Sequence, residues 1–197
     1  MSAILQSLGR TVIAGFVLLV LIIALTGMMS GTAVNMSHAW MAFFMRYLHV
    51  LSGVMWIGLL WYFNFVQMPS MPKIPDEQKP AIGKVIAPAA LFWFRWAALA
   101  TVVTGLLLGT MNGYLMAALT FDRPFLAIGI GMWLALIMAF NVWFIIWPNQ
   151  KKALGIVVVE AAEKAAAARI AMLTSRTNTL LSIPMLFCMV AQQNGGL

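Results

Sequence analysis

Five long apolar blocks, separated by short polar segments, dominate the pattern of this chain. Each block is close to the roughly 20 residues that a helix needs to cross a bilayer. The blocks cover about residues 11–29, 41–66, 86–110, 124–147 and 172–190. Between the last two, an alanine-rich stretch at about 153–170 has the pattern of a helix lying at the membrane interface. The pattern predicts an all-α, polytopic integral membrane bundle of about five transmembrane helices, forming a single domain over residues 1–197.

Composition supports the bilayer as the solvent of this chain. Hydrophobic residues make up 63% of it and charged residues only 9%, whereas a soluble domain carries roughly 25% charged residues. Five spans and their loops use the whole sequence, so there is no room for a soluble domain.

The basic residues predict an orientation. Eight of them fall on one side of the predicted spans and one on the other, which is a positive-inside pattern. The eight are Arg10, Lys73, Lys79, Lys84, Lys151, Lys152, Lys164 and Arg169, and the one is Arg123. We therefore expect the N-terminus inside and the C-terminus outside. The net charge of +7 is explained by these loops, and no nucleic-acid partner is expected.

Polar side chains inside a membrane are costly and mark candidate functional sites. Arg46, His49, Gly53 and Trp56 are spaced by three or four residues and share one helical face. A glycine one turn from a histidine lets a flat macrocycle approach the helix, so His49 is a candidate ligand of haem iron and the other three are candidate cofactor contacts. The alternative is a histidine that is hydrogen-bonded to a neighbouring helix, with Gly53 serving close packing.

The sequence limits the kind of metal centre. His38 lies eleven residues before His49, about 16 Å along a continuous helix, so the two cannot bind one iron. A sixth ligand would be a methionine, solvent or a histidine of another subunit. With a single cysteine, Cys188, the chain has no attachment motif for covalent haem c, so haem b is expected. A group of methionines and one histidine is predicted on the outer side of the membrane: Met28, Met29, Met36, His38, Met41 and Met45. Thioether sulfur and imidazole are ligands that suit Cu(I). Because methionine is also an ordinary apolar residue of helix interiors, a copper site is not favoured.

A second polar group is predicted near the inner ends of the spans. Arginines with amides could bind a planar anionic substrate; alternatively, the arginines extend to the headgroups and the asparagines tie helices together. The candidates are Arg95, Asn141, Arg176 and Asn178. No catalytic residue is assigned from the sequence.

Four segments resemble the membrane domain of bacterial membrane-bound urate oxidases. They are RYLHVLSGVMWIGLLWYFNF, ALFWFRWAALATVVTGLLL, MAFNVWFIIWPNQKK and SRTNTLLSIPMLFCMV. The positions that match the family are His49, Arg95, Asn141, Pro148, Asn149, Gln150 and Asn178, which adds Asn149 and Gln150 to the candidate substrate contacts. The chain departs from the family in ending at Leu197 without a cytochrome c domain, in lacking a histidine- and glycine-rich segment, and in having Thr177 where a histidine is frequent.

The resemblance implies a membrane domain that oxidises urate together with a cytochrome c domain. Together with the His49 face, it leads us to expect a multi-pass protein of the bacterial inner membrane that holds b-type haem through His49 and passes electrons to a separate cytochrome c. The alternative is a non-catalytic accessory subunit of a larger respiratory, photosynthetic or oxygenase complex, in contact with other membrane subunits. A third hypothesis is an anion transporter that uses the inner polar group.

Overall fold

A computed structural model describes residues 2–31 and 34–195, and within them the secondary structure is helical with no strand. The predicted all-α class is therefore confirmed. The chain divides into two compact units, Met1–Met41 and Ala42–Leu197, where the sequence predicts one domain. Each unit is described by itself.

The first unit contains a short helical turn at Ser2–Leu5 and helix α1 at Leu8–Ser30. Every residue of α1 after Arg10 is uncharged. The helix ends at Gly31, which adopts a left-handed conformation with φ 65° that glycine tolerates without steric cost. Helix α1 includes the predicted span at 11–29.

Four further long helices follow α1. Helix α2 is His38–Lys73, which begins in the first unit, α3 is Lys79–Met111 and α4 is Arg123–Ala153; α5 is Ala161–Asn194. A short helix, Leu115–Leu119, lies between α3 and α4. By length and composition, α1 to α4 are each able to cross a membrane, so the chain is a multi-pass membrane protein.

Helix α5 differs from its prediction. The sequence predicts an interfacial helix at about 153–170 and a separate span at 172–190, but residues 161–194 form one continuous helix. The sequence Ala161–Met172 contains no proline or glycine that would end a helix. The break between α4 and α5 lies earlier, after Ala153, where Gly155 adopts φ 74°.

Three of these helices contain a π-helical segment, in which the turn is wider than in an α-helix. The segments are Tyr62–Gln67 in α2, Ile82–Ile86 in α3 and Asn141–Ile146 in α4. Each one ends two residues before a proline. A proline ring clashes with the carbonyl of the residue four positions earlier, and the wider turn relieves that clash.

The core of the second unit is formed by side chains from α2, α3, α4 and α5. Its most buried members are Trp56, Leu60, Phe94, Ala98, Met138 and Val142. Helix α5 is also tied to α2 by hydrogen bonds: Asn64 donates to Ser175 Oγ over 2.8 Å, and Trp61 donates to Ser182 Oγ over 3.0 Å. These bonds satisfy polar groups that lipid cannot.

Candidate functional site

The His49 imidazole is held by helix α3 in one tautomer. Its Nδ1 lies 3.0 Å from the carbonyl oxygen of Thr101 and 3.3 Å from Thr104 Oγ1. A carbonyl oxygen can only accept a hydrogen bond, so Nδ1 carries the proton and donates it. In the neutral ring, Nε2 then has an unshared electron pair, and no described residue makes a hydrogen bond to it. This is the arrangement in which metal-binding histidines are found.

Gly105 makes room for this ring. A Cβ atom at position 105 would lie 2.9 Å from His49 Cε1 and 3.2 Å from Nδ1, closer than carbon atoms pack. Helix packing does not require a glycine at position 53, because a Cβ there would lie 3.9 Å from Thr101 Cγ2, an ordinary contact. The glycine that the imidazole requires is therefore on the neighbouring helix.

His49 lines a cavity of about 590 Å³ between α2, α3, α4 and α5. Ligand and cofactor pockets in proteins are usually of about 300–1,000 Å³ and mostly apolar, with a few placed polar groups. The predicted cofactor contacts Arg46, Gly53 and Trp56 all line the same cavity. The structure thus brings the four residues of the predicted haem face to one space.

Two of the polar groups around the cavity have no partner. Arg46 Nε and Trp56 Nε1 are buried and find no acceptor. Neither ion pair in the described residues involves Arg46. Tyr114 lines the same cavity; burial raises its pKa, more than the nearby Arg46 lowers it, so its hydroxyl is neutral at pH 7. The Arg46 end of the cavity is therefore positive and offers an unused donor to an anionic group.

The donor set of the cavity suits a macrocycle better than a bare ion. Among the described residues, no group of three or more His, Cys, Asp or Glu side chains could hold a metal ion. A porphyrin brings its own four nitrogens and needs few ligands from the protein, for which His49 is a candidate. Thioethers line the same cavity and are candidates for a second ligand: Met132, Met185 and Met189. His38 is exposed at the start of α2.

The predicted inner polar group is divided by the structure. Asn141 donates to Asn178 Oδ1 over 2.8 Å, and Asn178, fully buried, donates to the Met138 carbonyl over 2.9 Å. These two amides join α4 to α5. Asn149 donates to the Ile145 carbonyl of its own helix.

The remaining members of that group do not take part in these hydrogen bonds. Arg176 is exposed and Gln150 is half-buried, while Arg95 stacks on Trp147. None of the six predicted substrate contacts lines the cavity around His49.

Several residues of the site were not predicted from the sequence. Thr101, Gly105 and Tyr114, and the three cavity methionines, contribute through contacts between helices. Only Gly105 carried a signal, because it opens a Gly105-x-x-x-Gly109 packing motif. Thr101 and Gly105 lie one turn apart on α3, and such a pair can pack against many kinds of side chain. The sequence does not say which helix faces them.

Long apolar helices around a cavity with a few polar groups define a multi-pass helical membrane protein with a ligand-sized site. The family model described as Urate oxidase N-terminal matches residues 116–195. The resemblance is thereby confirmed over the short helix, α4 and α5. The matched stretch contributes Met132, Met185 and Met189 to the cavity, whereas His49 precedes it. No curated protein and no solved structure matches this chain.

Proposed function

We propose that this chain is a membrane redox subunit that binds one haem b in its cavity, where His49 Nε2 would hold the iron. The observation that carries the proposal is the state of the imidazole. Its Nδ1–H is fixed by the Thr101 carbonyl, and its Nε2 is left with a lone pair in a cavity of about 590 Å³. A backbone carbonyl that holds the second ring nitrogen fixes the orientation of a ligating histidine and makes it a stronger ligand.

The other polar groups of the cavity fit the same occupant. A haem carries two carboxylates, and the buried Arg46 Nε lacks an acceptor, so Arg46 would hold a propionate by a charge-assisted hydrogen bond. The apolar lining would exclude water from the ring. If a cavity methionine also held the group, its thioether would favour the reduced form and raise the potential.

A bound haem supplies reversible one-electron transfer. The residues of this chain would orient it, pair Arg46 with one of its two carboxylates and set its potential. We propose that the electron acceptor is a separate cytochrome c. The family name in the match refers to urate oxidation, which requires an electron acceptor. No catalytic residue is assigned.

The test compares the two histidines of the chain. Wild type, His49→Ala and His38→Ala are purified in detergent, and absorption spectra are taken oxidised and dithionite-reduced. We expect a Soret band and reduced α/β bands in the wild type and in His38→Ala, and their loss in His49→Ala at unchanged yield. His38 is the matched control, because it is exposed and outside the cavity lining.

A haem signal that survives in His49→Ala would disprove the ligand assignment. A folded wild-type protein without any visible absorption, after expression with haem supplied, would disprove the redox proposal. In that case the alternative, a non-catalytic accessory subunit of a larger membrane complex, would be favoured, and co-purifying membrane subunits would be identified by mass spectrometry.

A further inference from the structure

Arg95 of α3 lies against two tryptophans of α4, away from the cavity. Its guanidinium carbon is 3.3 Å from the centre of the Trp147 ring and 5.9 Å from that of Trp143. The two rings are four residues apart, so they project from the same side of α4. A cation on the face of a tryptophan is attracted by the ring electrons, and this contact fixes the position of the guanidinium.

The contact leaves several donors unsatisfied. Arg95 Nε and Nη1 are buried without an acceptor, and so is Trp143 Nε1. The two ion pairs found among the described residues join Lys79 to Asp76 and Lys152 to Glu163, so neither supplies a carboxylate to Arg95. A buried donor without a partner carries the full cost of its desolvation. An anion with several oxygens would remove that cost.

A second cation adjoins the same ring. Lys151 Nζ is 5.7 Å from the centre of Trp147, and Lys151 is half-buried. Trp147 thus has a guanidinium and an ammonium beside it. We propose that Arg95, Trp143, Trp147 and Lys151 form a binding site for an anionic phosphate group.

The chemistry of the four side chains favours phosphate. The planar fork of arginine matches two phosphate oxygens, and lysine adds a point charge. Basic pockets between transmembrane helices on the cytoplasmic side bind anionic lipid headgroups, and the predicted orientation places this end of α4 there. The phosphate of an anionic lipid and free phosphate share this chemistry. The site is independent of the haem proposal, because none of its four residues lines the cavity.

The experiment measures ligand binding to the detergent-purified full chain by native mass spectrometry. Phosphatidylglycerol, phosphatidylcholine and inorganic phosphate are added separately. Loss of charge-assisted hydrogen bonds in Arg95→Gln is expected to weaken phosphatidylglycerol binding roughly tenfold or more. The matched control is Arg169→Gln, which removes the same charge from an exposed position on α5 and is expected to leave binding unchanged.

Two further variants keep the test decisive if Arg95→Gln does not fold. Arg95→Lys keeps the charge but loses the fork, so intermediate binding is expected. Lys151→Gln, nearer the end of α4, is expected to weaken binding less than Arg95→Gln.

Preference for phosphatidylglycerol that inorganic phosphate does not displace identifies a lipid headgroup, and competition by inorganic phosphate identifies free phosphate. Equal binding of phosphatidylcholine and phosphatidylglycerol with no binding of inorganic phosphate, or equal losses in Arg95→Gln and Arg169→Gln, would overturn the proposal.

Discussion

Replacing Gly105 by alanine should displace the His49 ring and weaken whatever the cavity binds. The new Cβ would lie 2.9 Å from His49 Cε1 and 3.2 Å from Nδ1, whereas carbon atoms pack at about 3.5–4.0 Å. The ring must therefore move by several tenths of an ångström at least. Its hydrogen bond to the Thr101 carbonyl is already 3.0 Å long, so a shift away from α3 stretches or breaks it.

The expected size of the effect follows from these contacts. Overpacking a filled site costs about 1–3 kcal/mol, and a lost hydrogen bond costs about 0.5–1.5 kcal/mol. Alanine in place of glycine within a helix stabilises the fold by about 0.5–1 kcal/mol. The net loss of stability is therefore roughly 0.5–4 kcal/mol. If haem is bound, disturbing the group that orients its ligand should lower the affinity about 10–100-fold.

Gly53→Ala is the control for this prediction. It gains the same helix propensity and borders the same cavity, but its Cβ would meet Thr101 Cγ2 at 3.9 Å without a clash. Thermal unfolding in detergent and the haem-to-protein ratio are measured for both variants. Equal melting temperatures in Gly105→Ala and Gly53→Ala would refute the reasoning, because only the Cβ at position 105 would clash with His49.

Two more predictions concern the packing of α5 and the orientation of the chain. Asn178→Leu should lower the free energy of unfolding by about 1–3 kcal/mol, because it leaves the Asn141 amide and a buried carbonyl without their hydrogen-bond partner. The control is Thr177→Leu, at an exposed neighbouring position, which should change the melting temperature little. Equal effects of the two substitutions would argue against a stabilising role of the amide pair. In a Cys188→Ser background, a cysteine at Lys79 should react with a membrane-impermeant maleimide only in inverted vesicles, and a cysteine at Asp122 only in intact spheroplasts. The reverse pattern would invert the predicted topology.

Much of the fold could be predicted because membrane helices are encoded locally. Apolar length alone located the centres of α1 to α4, since a lipid-facing helix needs little from its neighbours. The continuity of α5 was missed for the opposite reason. The charges of Glu163, Lys164 and Arg169 suggested an interfacial segment, but a charge pattern does not end a helix when no proline or glycine interrupts it.

Only the residues that α2 contributes to the candidate site could be predicted from the sequence. His49 and Arg46 share a helix, so their common face follows from their spacing. The hydrogen-bond acceptor at Thr101 is a main-chain carbonyl, which every residue has, so the sequence does not reveal it. The space that Gly105 leaves for the His49 ring depends on the distance between α2 and α3. The inner asparagines show the same limit. The sequence allowed Asn141 and Asn178 either to face an anion or to tie helices together, and the hydrogen bond between them in the structure is the second arrangement.

The π-helical segment of α4 makes the site around Arg95 tolerant of a change in chain length at one place only. A π-helical turn is an α-helical turn with one residue more, so about five π-helical residues turn the chain as far as four α-helical ones. Deleting a single residue between 143 and 147 would restore an α-helix and leave Trp147 and Lys151 facing roughly the same way relative to the rest of α4. The same one-codon deletion in the α-helical stretch Leu126–Phe140 would turn everything beyond it by about 100°. That deletion would separate both side chains from Arg95 without substituting any of the residues that form the contact.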